Sequence, residues 1–198
     1  MTLRPNGWRT PLLLSMLMLS GASQAFTLGI TPGSRILYLR VGQGTWQHTG
    51  NNIRVGSDPT VNVVAVTVPA PAVGNNIAQP MAMTVADSQD SESCLPSQVV
   101  IGIIYRRNNN NAVATLTAVP GALVSGTDSI AFSQISWVSS SSNPQAMPTG
   151  AFTGAAQSFP SYAANTYFES CLTFRYANSA VVAAGTYLGS VTYTLSAP

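Results

Sequence analysis

"SVTYTLS", residues 190–196, puts Val191, Tyr193 and Leu195 on one side of an extended chain and Ser190, Thr192, Thr194 and Ser196 on the other. Successive side chains of a strand point to opposite faces, so this is a strand with one dry side and one wet side. Similar runs, bounded by Gly, Pro, Asn or Ser, recur as "RILYLRVG", "TVNVVAVTVP", "QVVIGIIYRR", "AVATLTAVPG", "SIAFSQISWV" and "FESCLTFRYAN". Nothing reads as a long amphipathic helix. The pattern predicts an all-β chain, an immunoglobulin-like two-sheet antiparallel sandwich in a single domain.

Individual runs say more. In "FESCLTFRY", Phe168, Ser170, Leu172, Phe174 and Tyr176 share one face, while Glu169, Cys171, Thr173 and Arg175 share the other. Residues 99–105 are apolar on both faces, which predicts a central strand. Ile130 and Phe132 alternate, then Ser133 and Gln134 come together before Ile135 and Trp137 resume. That slip reads as a β-bulge near Ser133 or Gln134, or as the apolar set changing sheets. "RRNNNNAV" reads as a hairpin tip with Arg106 and Arg107 at its base. Residues 139–161 read as a long loop with at most one short strand around Ala151 to Thr153.

The first 25 residues have the layout of a secretory signal: Arg4 and Arg9 precede the apolar run "PLLLSMLMLSGA", and Ser23 and Ala25 precede Phe26. That run is too short to span a bilayer, so no membrane span is expected. Residues 26–198 then form the sandwich. Taking Arg4 and Arg9 away leaves six Arg against four Asp and two Glu, with no lysine anywhere. A balance of zero without a basic patch argues against nucleic acid as a partner. Charged residues make up 7% of the chain, against about 25% in an ordinary domain, and Ser, Thr, Asn, Gly and Ala supply the exterior instead. Such a surface repels its own copies weakly, which suits packing into an assembly.

Cys94 and Cys171 are the two cysteines. In an exported chain they predict one disulfide, whereas a redox or metal-binding pair needs further ligands or a C-x-x-C spacing that the sequence lacks. No cofactor and no metal are expected. His48, the single histidine, lies in "GQGTWQHTGNN" with no acid or nucleophile near it in sequence, and no G-x-S-x-G elbow occurs, so the reading is not an enzyme. Asp87, Asp90 and Glu92 read as a solvated turn, the alternative being a Ca²⁺ loop. Trp46, Trp137, Tyr162 and Tyr167 would make a sugar platform if they clustered outside, although Ile135 and Phe132 beside Trp137 favour core packing.

"AAGTYLGSVTYTLSAP", residues 183–198, resembles the ends of bacterial chaperone-usher pilus subunits, including the spore-coat-U-like secreted pilins. It also resembles the last strand of surface WxL domains, with Tyr193-Thr194-Leu195 in place of Trp-x-Leu. The pilin likeness implies an incomplete sandwich completed by a neighbour's N-terminal arm, after a periplasmic chaperone has lent a strand. Phe26, Leu28 and Ile30 would then be the alternating side chains of a donor arm, residues 26–33, with Pro32-Gly33 as its hinge. It implies self-association or other pilus subunits as partners, and a fimbrial, adhesive role in the periplasm or at the cell surface. The alternative is a monomeric binding module, for carbohydrate or protein, that pairs residues 26–42 within its own sheets.

Overall fold

β-Branched and aromatic residues with no polar face suit a strand covered on both sides, and Val99–Arg106 takes that place: residues 99–105 are all buried. The computed structural model describes residues 36–42, 46–49, 52–55, 63–83, 94–95, 97–107, 111–141 and 144–198, all within the compact unit Pro32–Pro198. The predicted signal, the donor-arm residues Phe26, Leu28 and Ile30, and Asp87, Asp90 and Glu92 lie outside the described residues.

Strands are numbered along the chain: β1 (Ile36–Val41), β2 (Trp46–Thr49), β3 (Asn52–Val55), β4 (Val64–Ala65), β5 (Gln79–Pro80), β6 (Ala82–Met83), β7 (Val99–Arg106), β8 (Val113–Pro120), β9 (Leu123–Ser125), β10 (Asp128–Ile130), β11 (Ile135–Ser140), β12 (Gly150–Ala151), β13 (Gln157–Ala163), β14 (Thr166–Tyr176) and β15 (Val191–Ser196). One sheet runs β1-β7-β14-β11-β12, with β5 against the end of β14, and the other runs β13-β8-β15. Every pairing in the two sheets is antiparallel. Taken in chain order, β1, β7, β8, β11, β14 and β15 occupy the A to F positions of the immunoglobulin arrangement, in which A, B, E and D form one sheet and C and F begin the other. The molecule is the all-β sandwich that the alternation predicts.

The two inner faces meet in one core. Ile101, Ile103, Tyr105, Ile135, Trp137, Leu172 and Phe174 come from the first sheet, and Ala114, Leu116, Ala118 and Tyr162 from the second. Trp137 centres an aromatic group: its ring lies 4.7 Å from Phe152, 6.1 Å from Phe159 and 6.4 Å from Phe174. Its indole N–H donates to the Pro148 carbonyl at 2.7 Å. Trp137 pairs with Gly150 on β12, where an added Cβ would meet the indole at 3.2 Å. The outer face of the second sheet is hydroxyl-rich and in register: Ser158 and Thr194 flank Thr117, and Ser161 and Ser196 flank Thr115.

Several expectations change. No bulge forms at Ser133 or Gln134. Phe132–Gln134 is one 3₁₀ turn that carries the chain from β10, paired with β9, into β11 of the large sheet. The slip in alternation is thus a change of sheet. "RRNNNNAV" is not the tip of a paired hairpin, because β7 and β8 belong to opposite sheets. Residues 139–161 hold β12 and the start of β13. Pro160 hides β13 in the sequence, but β13 is an edge strand and its register shifts between Ser158 and Ser161, where a missing N–H is tolerated. Trp137 packs in the core, as Ile135 and Phe132 beside it favoured, and Tyr162 is buried too, so neither joins an external sugar platform.

A buried tyrosine gives the fold a pH signature. Tyr162 is buried and its hydroxyl donates to the Ala146 carbonyl; burial pushes its pKa well above 10. Up to about pH 10 both folded and unfolded chains keep this proton, so its contribution is intact. Above that the unfolded chain releases the proton and the folded one holds it, so stability falls by up to about 1.4 kcal/mol per pH unit for each such tyrosine. Thermal melts from pH 8 to 11.5 should show a flat region and then a decline, shallower in Tyr162→Phe.

Candidate functional site

The alternation in "SVTYTLS" gives β15 an inner row of Val191, Tyr193 and Leu195, and these side chains are only half-buried. The inner row of β8, its partner, is fully buried. The difference lies in what covers each strand. β8 sits between β13 and β15, whereas β15 pairs with β8 alone among the described residues. On that flank β15 runs close to β1, the edge of the other sheet, without a hydrogen-bonded ladder between them. The inner row of β1, Leu37, Leu39 and Val41, is likewise half-buried and packs on the core. Among the described residues no strand takes the seventh, G position of the immunoglobulin order, which lies beside F. An edge of this kind presents unpaired backbone N–H and C=O groups along a half-covered apolar row.

β1 itself is fully paired: Ile36 to Val41 run antiparallel to Arg106 to Ile101. Residues 36–41 are therefore taken up in this chain's own sheet. His48 and Trp46 lie on β2, which pairs with β3 as a separate ribbon.

A second feature lies on the outer face of the large sheet. Register aligns Arg40, Gly102 and Glu169 in one row across β1, β7 and β14. Tyr38, Ile104 and Tyr167 form the next row, and Val100 pairs with Cys171 on the other side. Gly102 has no side chain to stand between the two charged residues of that row. Both are buried, Arg40 at 6% exposure and Glu169 at 2%. The Arg40 guanidinium Nε donates to the Gly42 carbonyl at 2.9 Å. The Tyr167 hydroxyl donates to the Glu169 carboxylate. Burial, then the hydrogen bond and charge of Glu169, push the Tyr167 phenol up, while Arg40 pulls it down.

Cys94 and Cys171 close the predicted disulfide, with Cα atoms 5.2 Å apart, and both are buried beside Val100. It ties the segment entering β7 to the middle of β14, as the two sequence positions imply. The Glu169 carboxylate lies with the two sulfurs in a group whose donor atoms are all within 4.8 Å of one another. Sequence reasoning placed Glu169 and Cys171 on one face but passed over Arg40 and Glu169 as functional residues. The only signal was two charges inside otherwise apolar strand runs, and their meeting depends on register. No described helix is long and apolar enough to cross a membrane. Comparison with family models, curated proteins and solved structures finds no match to this chain.

Proposed function

We propose that this chain is an exported bacterial structural protein, a pilus or surface-assembly subunit whose copies join by β-strand addition. The observation that supports it is the edge of β15, paired on one side only among the described residues, with a half-buried row of Val191, Tyr193 and Leu195 beneath it. In strand addition main-chain hydrogen bonds supply affinity and alternate side chains fill pockets under the added strand. Phe26, Leu28 and Ile30 have that alternation. The small number of charges lets identical surfaces approach.

A second reading, a self-contained binding module, draws on the complete pairing of β1 with β7 inside one chain. Size-exclusion chromatography separates the two. Residues 26–198, exported alone, should form higher oligomers. Deleting residues 26–33, or replacing Tyr193 with Lys to put a charge in the acceptor row, should weaken assembly roughly tenfold or more while circular dichroism stays β-rich. A monomer in all three samples would favour the binding module.

A further inference from the structure

The sequence offers the cysteine pair no further ligand, but the fold supplies one. We propose that the reduced form of this chain holds one thiophilic divalent cation, zinc being the natural choice, between Cys94, Cys171 and Glu169. This does not depend on how the edge of β15 is covered.

The two sulfurs and a Glu169 carboxylate oxygen already converge within 4.8 Å, and all three residues are buried. Zinc takes thiolates at about 2.3 Å and carboxylate oxygens at about 2.0–2.2 Å, so tetrahedral ligands sit roughly 3.5–3.8 Å apart. Opening the S–S bond to that separation needs side-chain rotation more than strand movement, given the 5.2 Å Cα spacing. The fourth position is left for water. Two sulfur donors select zinc or cadmium over magnesium and calcium.

The surroundings fit. Tyr167 donates a hydrogen bond to the Glu169 carboxylate, the outer support that orients ligating groups in metal centres. Two thiolates and a carboxylate leave one surplus negative charge around a dication. Arg40, buried across Gly102 from Glu169, supplies the balancing positive charge. A buried charge without such compensation is costly.

Binding displaces the two thiol protons to solvent as the metal–sulfur bonds form. Closure of the disulfide excludes it. Exchange with an external disulfide, itself reduced to a dithiol, joins Sγ of Cys94 to Sγ of Cys171 and expels the cation. The site therefore exists on one side of a redox transition only.

The test uses residues 26–198 reduced with a phosphine, with circular dichroism recorded alongside. Cadmium titration should give a thiolate-to-metal charge-transfer band saturating at one ion per chain, reversed by zinc. The oxidised protein should give none. Glu169→Gln, whose fold is checked in its oxidised form, should bind at least roughly tenfold more weakly, and Tyr167→Phe about tenfold. Equal affinity in Glu169→Gln and the parent, no band, or a reduced chain that is unfolded with cadmium present would each overturn the proposal.

Discussion

Trp137→Ala lowers the unfolding free energy by about 3–5 kcal/mol, the range for deleting a large buried aromatic. Three losses combine. The indole is 2% exposed and touches Phe152, Phe159 and Phe174, so its removal opens a cavity between the sheets. The Pro148 carbonyl loses its donor, a part-buried hydrogen bond worth about 1 kcal/mol. Gly150 and β12, which lie against the ring, lose their support. Since domains of this size are stable by only about 5–15 kcal/mol, a urea titration should show the midpoint displaced by a large fraction of its value. Trp137→Phe keeps most of the volume and should cost less. A midpoint within error of the parent would mean that the core is not centred on this ring.

Replacing both Cys94 and Cys171 with Ser removes the second large contribution. The cross-link spans 77 residues, and the chain-entropy model gives about 4.5 kcal/mol for a loop of that length. Measured values run nearer 2–4 kcal/mol because reduced chains retain some structure. Cys171 is at 0% exposure, so replacing the two sulfurs also disturbs the packing beside Val100. The double variant should melt well below the parent. Equal melting temperatures for oxidised and reduced parent protein would contradict this account.

The strand content was legible because alternation in "SVTYTLS" and two-faced apolarity in "QVVIGIIYRR" are local properties, readable without partners. The cysteine pairing was legible for a different reason: with two cysteines there is one way to join them. What escaped the sequence is everything that depends on which strands are neighbours. Arg40 and Glu169 are 129 positions apart, and only the registers of β1 and β14 on β7 bring them opposite each other across Gly102. The Asn-rich connection read as a hairpin because turn chemistry does not say whether the next strand rejoins its predecessor or crosses to the other sheet. That β15 pairs with β8 alone among the described residues is likewise a fact of topology. The sequence showed that the last strand has a dry side, but not which strands lie beside it.

The rows of Ser and Thr that flank Thr115 and Thr117 carry one further consequence. Where other proteins meet their copies through charge, this face meets them through neutral hydroxyls, whose short-ranged hydration ionic strength hardly screens. Its colloidal behaviour therefore follows agents that compete for water, such as sulfate or excluded osmolytes, more closely than it follows sodium chloride or moderate changes of acidity.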